Sequence, residues 1–484
     1  MKQVLLLIGI FFIHATGLQA QTGLDTTFGN NGVINDPGST NETEIAYSLA
    51  VQDDGKIVAC GIRMNKVCIK RYNIDGSLDL SFGNQGEVAH LLEFGQMISV
   101  NDMTLQPDGK IVVGGLKSSN MFISRYNTNG SIDMTFGTNG VFVHPELTSG
   151  AQEVFIIDSG KIMVGSGNYI LRLNSNGTPD VTFSPNGAVS LANYGFIKGI
   201  ACYPDGKMLY LYNVYNGDNY ETAFRRFTVT GMLDNTFGTD GVSIVHEGIA
   251  DFVCQTVTLW PGGQIIAGGF GTLPNTNGTP AIVKLNPDGS RDPEFGTNGI
   301  AMTPVSSGFF WIEQVHVQLE DGKIVVGGSG VNGFTVLRYD HLGNLDPSFG
   351  NNGENTYALS LNQHNMLSMA VQDDGKAIVT GTLSNTANTN FLLLRFNGSN
   401  NTAGFESAEL PQLKVYPNPV QDILTLDNPA GIFIDAIVVF DVTGKVVVTQ
   451  HQSTQVDVSH LEQGVYILEV TSGGTTEKIK FIKQ

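Results

Sequence analysis

"LDTTFGNNGV", residues 24 to 33, is the stretch on which the fold turns. Its Asp25 returns as Asp79, Asp133, Asp180, Asp234, Asp292 and Asp346, each inside a variant of the same phrase, at spacings of 54, 54, 47, 54, 58 and 54 residues. Two other phrases keep step with it. A turn of the P-D-G-K kind recurs at Asp54, Asp108, Ser159, Asp205, Gly262, Asp321 and Asp374. A basic residue followed by an aromatic or Leu recurs at Arg71, Arg125, Arg172, Arg226, Lys284, Arg338 and Arg395. Self-similarity at a near-fixed period outranks any single motif, because one repeat cannot bury its own apolar face.

The second period shows what each phrase does. "NDMTLQ" (101–106) alternates apolar and polar, "PDG" (107–109) turns the chain, and "KIVVGG" and "MFISRYN" are β-branched or aromatic runs. "TNGSID" (128–133) makes the next turn and "GVFVH" (140–144) supplies a fourth strand. Each period therefore reads as a four-stranded antiparallel meander, and helical periodicity is absent. Seven such sheets packed about an axis bury the faces that one sheet cannot. The expected fold is all-β: a seven-bladed β-propeller, with an open β-array as the alternative.

In six units the basic residue precedes the motif Asp by eight positions, as in Arg71/Asp79 and Arg125/Asp133. A strand, a turn and a return of that length can bring the pair together. Arg395 has no Asp eight residues later, and Asp25 has no Arg before it. The expectation is that Asp25 and Arg395 meet, the N-terminal strand completing the seventh sheet and closing the ring.

The units resemble the delta-60 repeat proteins of bacteria, marked by L-D-x-x-F-G-x-x-G and D-G-K-I-V-V-x-G. The resemblance covers residues 24 to 397; the fourth copy replaces its first Gly with Ser184, and the fifth P-D-G-K turn reads "WPGGQ". It implies a propeller-like array and no general activity. After a polar linker, 401–412, the segment 413–484 reads as several short strands of a small Ig-like β-sandwich. It resembles the type A sorting domain of type IX secretion cargo in the Bacteroidetes. The matching residues are Tyr416, Pro417, Asn418 and Pro419, the "DVTGK" stretch 441–445, Gly464 and Tyr466 of "LEQGVY", and Lys480 and Lys483 of the basic-apolar ending. That resemblance implies the type IX secretion machinery as a partner, translocation across the outer membrane, and surface attachment or release.

Residues 1–20 read as a signal peptide: Lys2, an apolar run from Val4 to Ile13, and small Ala20 before Gln21. No apolar span follows, so no transmembrane segment is expected beyond it. The formal net charge of −19 repels phosphate backbones and anionic membranes, so nucleic acid is excluded as a partner. Cys60 and Cys68 flank a tight turn and could pair across a hairpin, although directly opposed cross-strand disulfides are strained.

No nucleophile elbow, metal-ligating helix or phosphate loop occurs, and no cofactor or metal is expected. The "NIDGSLD" and "NPDGSRD" turns mimic calcium loops, but Arg71 and Lys284 occupy the first ligand position, which favours Asx-type turns. His90, His144 and His246 end fourth strands and are expected at the rim.

Features identical in every unit serve packing, so function is sought where equivalent positions differ. Residues entering each first strand form a mixed polar ring: Asp102, Glu153, Lys198, Gln255 and Glu313 among them. In the fourth unit Tyr212 and Tyr215, with Tyr210 and Tyr220, fall in or near a lengthened hairpin and can stack on sugars or anchor a protein. These residues support a secreted or cell-surface scaffold that binds an extracellular protein or glycan. A secreted hydrolase of an extracellular polymer and a structural surface-layer or motility protein are the alternatives.

Overall fold

The computed structural model describes residues 23–36, 44–92, 97–157, 159–191, 197–245, 251–260, 262–272, 278–305, 310–318, 321–330, 333–358, 364–383, 390–398, 414–427, 436–441, 446–451, 454–472 and 475–484. The signal-peptide reading of 1–20, the linker 401–412 and His246 lie outside them. Among the described residues every regular element is a β-strand, and no helix is long and apolar enough to cross a membrane. The chain divides into two units, residues 1–400 and 401–484.

Among the described residues the first unit holds seven four-stranded sheets, here numbered one to seven in chain order. Sheet two is typical: Ile98–Leu105, Ile111–Lys117, Asn120–Tyr126 and Val141–Val143 pair antiparallel in sequence order. Its second and third strands are buried on both faces, which is why "IVV" and "MFI" are unbroken apolar runs instead of alternating ones. The turn between the first two strands closes with the Gln106 carbonyl accepting from Gly109 N–H at 2.8 Å, Gly109 taking a positive φ of 77°. Sheet seven is assembled differently. His364–Val371, Ala377–Leu383 and Phe391–Phe396 come from one region, and Val33–Asp36 from the N-terminal segment supplies the fourth strand, Val33 opposite Leu394 and Asp36 opposite Phe391.

Each pair of consecutive sheets shares one apolar core. Phe82, Ile98, Val100 and Ile111 fill the space between sheets one and two; Phe136, Val154, Ile162 and Val112 fill that between two and three. The series continues through sheet seven, and Phe28, Ala46, Cys68, Ile378 and Phe391 form the same kind of core between sheets seven and one. Fully buried Phe side chains of this size contribute about 1.5–3 kcal/mol each.

The repeated phrases build one polar network per sheet. In sheet two, Asp133 Oδ1 accepts from the Thr135 N–H at 3.0 Å and its hydroxyl at 2.6 Å, while Oδ2 takes Arg125 Nε at 2.9 Å and Lys110 Nζ at 3.5 Å. The Arg125 guanidinium lies over the Phe136 ring and donates to the Ser175 carbonyl in the next sheet. L-D-x-T-F-G, D-G-K and R-Y are thus three parts of a single contact. The glycine of the turn after the third strand has its own reason: at Gly76 in sheet one a Cβ would stand 2.9 Å from the Phe28 ring and 2.8 Å from Gly29 N. Burial works against ionisation of Asp133, yet Thr135, Arg125 and Lys110 hold its carboxyl down at about 2.

Cys60 and Cys68 do not pair. Cys60 stands opposite Ile69 and Cys68 opposite Gly61, a one-residue offset that sends the two thiols to opposite faces of sheet one. Cys60 enters the core with sheet two and Cys68 the core with sheet seven, both as free thiols.

The second unit has a three-stranded sheet, Lys414–Tyr416, Ile423–Asp427 and Gln455–Asp457, and a four-stranded one ordered Val446–His451, Ala436–Phe440, Gly464–Ser472 and Thr475–Lys483. Leu424, Leu426 and Val456 of the first share a core with Ile437, Val439, Leu468 and Phe481 of the second.

Candidate functional site

The first strand of most sheets carries a β-bulge at one fixed place. Register shifts fall between Ala46 and Ser48, Val100 and Asp102, Cys254 and Thr256, Ile312 and Gln314, and Met366 and Ser368. The glycine across the bulge makes room for it. A Cβ on Gly115 would stand 2.0 Å from the Ser99 carbonyl oxygen, and on Gly61, Gly269, Gly328 or Gly381 it would meet the equivalent carbonyl at 1.7 to 2.2 Å. Sheets three and four have Ser166 and Tyr212 at that position.

The bulge separates the expected polar ring into two sets. The bulge residues Tyr47, Asn101, Gln255, Glu313 and Leu367 project from the first strands, each partly or fully exposed, and Gln152 and Lys198 are exposed at the corresponding places. The next residue along turns back between sheets. Ser48 Oγ donates to Asp102 Oδ1 at 2.9 Å and accepts the Met103 N–H at 3.2 Å. Asp102 Oδ2 accepts the Val154 N–H at 2.8 Å, Glu153 Oε2 the Ile200 N–H at 2.6 Å, and Ser368 Oγ the Leu49 N–H at 3.3 Å. Each side chain captures a backbone donor of the following sheet. Asp102 and Glu153 are therefore clasps between sheets, each holding a backbone donor of the next one.

Burial raises both clasps. The Asp102 carboxyl is pushed up to about 6 against hydrogen bonds from Val154, Met103 and Ser48. Glu153 is pushed up to about 8 by burial and, secondarily, by the Asp102 charge, against the Ile200 N–H.

Sheet four departs from the pattern most. Its middle strands, Met208–Tyr215 and Tyr220–Phe227, run eight residues each, against five in Ile162–Ser166 and Tyr169–Leu173 of sheet three. Tyr212 is a core residue and not a ligand-facing one: it stacks on Tyr210 at 5.2 Å between centroids and lies under the Arg225 guanidinium. Tyr215 and Tyr220 are 58% and 51% exposed, with centroids 5.2 Å apart. Their hairpin is held firmly. Tyr215 Oη donates to the Gly217 carbonyl at 2.8 Å, Asn216 Oδ1 accepts from the Asp218 and Asn219 N–H groups at 2.9 Å, and the Tyr220 N–H donates to Asp251 Oδ1 of sheet five at 2.8 Å.

Two of the three histidines expected at the rim fall among the described residues. His144 is buried, not at the rim, its Nδ1 accepting from the Glu146 and Leu147 N–H groups at 3.2 Å; His90 Nδ1 lies 3.0 Å from Tyr126 Oη. The calcium-like turns close on themselves, Asp75 Oδ1 accepting from Ser77 N–H and hydroxyl at 2.9 and 2.7 Å. Among the described residues there is no group of three or more His, Cys, Asp or Glu side chains arranged to hold a metal.

In sheet seven Arg395 Nε donates to Asp25 Oδ2 at 2.9 Å, and Arg395 Nη1 donates to the Ile74 carbonyl of sheet one. Asp36 Oδ2 accepts from the buried Lys70 Nζ at 2.7 Å.

In the second unit the two ends of the motif set meet. Asn418 Oδ1 accepts the Ile482 N–H at 2.9 Å and Nδ2 donates to the Lys480 carbonyl at 3.2 Å. Tyr416 is exposed, and Pro417 and Pro419 follow cis bonds. Gly464 opens the strand opposite Lys483; Tyr466 is buried on Phe481 and donates to the Glu462 carbonyl at 2.9 Å. Lys480 points outward and Lys483 is buried. Of the "DVTGK" stretch, residues 442–445 lie outside the described residues.

The fold and its repeated network define a β-propeller repeat protein, followed along the chain by a second all-β unit. Family models make this specific. The "Secretion system C-terminal sorting domain" matches residues 414–484, and the "Domain of unknown function (DUF5122) beta-propeller" matches 52–82, 106–136, 159–183, 261–295 and 319–349. The chain is a propeller-repeat protein with a type IX secretion sorting domain, which marks it for the cell surface or for secretion in a Bacteroidetes-like Gram-negative bacterium. No curated protein sequence matches it. Solved structures similar to it include the extracellular domain of a proposed hybrid two component system from B. thetaiotaomicron, at 11% identity and TM-score 0.42, covering 94% of this chain and 59% of that one. Sqt1 from Chaetomium thermophilum matches at 11% and 0.41, covering 75% and 99%. Drosophila Semaphorin 1b, extracellular domains 1-2, matches at 11% and 0.42, covering 78% and 88%. The chain spans about three fifths of the length of the first of these.

Proposed function

We propose that residues 21–400 form a seven-bladed propeller closed by the N-terminal strand, that 413–484 form a small Ig-like sandwich removed or retained after export, and that the propeller is a secreted or surface-displayed scaffold for binding and adhesion. Closure is supported by the core shared between sheets seven and one and by the Asp25–Arg395 pair. Deleting residues 24–36 should cost the cooperative unfolding of residues 21–400; a truncated chain that melts like the intact one would sink the closure.

The observation that carries the binding reading is the tyrosine hairpin of sheet four. Two exposed rings on a pinned turn present apolar area at little ordering cost, which is the property of binding hot spots. The hydrolase alternative is less well supported, since two of the three ring carboxylates, Asp102 and Glu153, are committed to backbone donors and only Glu313 is not. Purified residues 21–400 should retain a glycan or surface protein in an array screen, and the Tyr215→Ala/Tyr220→Ala variant should lose it. Turnover of a polymer with no retention would favour the hydrolase.

A further inference from the structure

Asn-Gly pairs recur along the chain. A glycine after asparagine leaves the side-chain amide open to attack by the next backbone nitrogen, since no Cβ hinders the approach. The fold withholds that nitrogen at most of these pairs. In the repeated phrase Gly32, Gly140, Gly299 and Gly353 are buried, and each donates its N–H to the carbonyl of Phe28, Phe136, Phe295 or Phe349 at 2.7 to 2.8 Å. Gly130, Gly177 and Gly187 are also buried and donate within their own turns at 2.8 to 2.9 Å. Gly398, after Asn397, is buried against the Asp374 and Gly375 backbone. Asn277 and Asn332, which open the two remaining pairs, lie outside the described residues.

Asn216-Gly217, at the tip of the sheet-four hairpin, is built the other way. Gly217 is exposed, a Cβ there would meet nothing within 4 Å, and among the described residues nothing accepts its N–H. The Asn216 amide, by contrast, is held at both ends. Its Oδ1 accepts the Asp218 and Asn219 N–H groups at 2.9 Å, and its Nδ2 donates to Glu221 Oε1 at 2.6 Å. Two donors on Oδ1 stand where negative charge gathers when a nucleophile adds to Cγ, which favours that addition.

We propose that Asn216-Gly217 is a self-modifying site, at which the folded chain deamidates in preference to its other described Asn-Gly pairs. Gly217 N bonds to Asn216 Cγ, the Cγ–Nδ2 bond breaks, and Nδ2 leaves as ammonia with the proton shed by the Gly217 nitrogen. Water then opens the cyclic imide at either of its carbonyls, leaving aspartate or isoaspartate at position 216. Both products lose the donor that reaches Glu221 and set a second carboxylate beside it, and isoaspartate also lengthens the backbone. The turn that holds Tyr215 Oη on the Gly217 carbonyl and the Tyr220 N–H on Asp251 loosens as a result. On the binding reading given above, the tyrosine hairpin weakens as the exported chain ages; the modification itself does not depend on what the hairpin binds.

Peptide mapping by mass spectrometry of the full chain aged at pH 8 tests this, with isoaspartate methyltransferase labelling as a second readout and a parallel sample aged in urea. In the folded chain Asn216 should convert several times faster than any asparagine whose glycine N–H is held by a carbonyl. In urea the same pairs should react at similar rates, which assigns the difference to the fold and not to the local sequence. Asn216→Ser keeps an acceptor for the turn and cannot form the imide; it should abolish conversion at this peptide and preserve slow hydrogen exchange at the Tyr220 N–H. Asn216→Asp, the direct product, should speed that exchange. An Asn216 that stays intact in the folded chain, or a held pair that converts as fast, would overturn the site. Unchanged Tyr220 exchange in Asn216→Asp would overturn the loosening of the turn.

Discussion

Sheets two and four are written in the same phrases and part company at one residue. Where sheet two has Gly115, sheet four has Tyr212. Gly115 admits the Ser99 carbonyl to within 2.0 Å of where a Cβ would be, and the first strand bulges at Asn101. Tyr212 leaves no such room. Its strand pairs with Gly199–Cys202 over Leu211 to Met208 with no shift in register, its ring fills the core beside Tyr210, and the hairpin beyond continues to Tyr215 and Tyr220. The same position thus accompanies two arrangements: with glycine the first strand bulges, and with tyrosine the strand stays in register and the ring enters the core.

The severest way to break this comparison is to put a side chain where the bulge sits. Gly115→Val should destabilise the propeller unit by more than about 3 kcal/mol, since the obstructing atom is backbone and cannot rotate away. Ser166→Ala, at the same position of unbulged sheet three, should cost only about 1 kcal/mol, the value of the hydrogen bond from Ser166 Oγ to the Ser149 carbonyl. Denaturant midpoints compare the two directly; similar losses would mean that the glycine has no special role.

Tyr212→Ala probes the other branch. Removing a buried aromatic should cost about 3–5 kcal/mol through the cavity left beside Tyr210 and Phe227. Tyr212→Gly should not recover a bulge. A register shift appearing in that variant, read by backbone NMR, would show that the glycine alone is sufficient.

How much of this was legible in the chain depends on whether the signal was periodic. The Arg–Asp contact announced itself by a constant spacing of eight, and the missing partners of Asp25 and Arg395 pointed to each other across the sequence. The bulge carried a signal that went unread. A glycine lies seven residues after the turn Asp, or its equivalent, in sheets one, two, five, six and seven, and in each of those the register shifts. A glycine inside an apolar run does not by itself announce a bulge, so the sequence pattern leaves Asp102, Glu153, Lys198, Gln255 and Glu313 in a single ring. Tyr212 was misplaced for a related reason: alternation along a strand cannot distinguish two faces when both are buried. Cys60 and Cys68 flank a turn whose length is plain in the sequence, but the offset that separates them comes from register.

The clasps sharpen the comparison further, since the relay through Ser48, Asp102 and Glu153 stops at sheet four, where Gly199 has no side chain to offer sheet five. Glu153, the last carboxyl of that relay, carries the most raised titration of the group, at about 8. Its folded value lies above the unfolded one near 4.3, so the stability it contributes is fully present below the unfolded value and is lost as pH rises through about 8. Stability should therefore decline between pH 5 and 9 by a few kcal/mol at most, and Glu153→Gln should flatten that decline. Asp102 titrates lower, at about 6, so Asp102→Asn should remove only the early part of the curve. An unchanged pH profile in Glu153→Gln would place the alkaline loss elsewhere.

The smallest expected effect tests the exposed end of sheet four. The Tyr215 and Tyr220 rings lie 5.2 Å apart; Tyr215 Oη adds one exposed hydrogen bond to the Gly217 carbonyl, and the other hydrogen bonds that pin the turn run through Asn216, the Tyr220 backbone N–H and Asp251. Tyr215→Ala and Tyr220→Ala should each change stability by about 0.5 kcal/mol or less, within the range of surface substitutions. The contrast with Tyr212→Ala is what matters: three tyrosines within nine residues, one serving the core and two serving the surface. If the outer pair proved as costly to remove as Tyr212, the hairpin would be an element of the fold, and sheet four would differ from sheet two in packing alone.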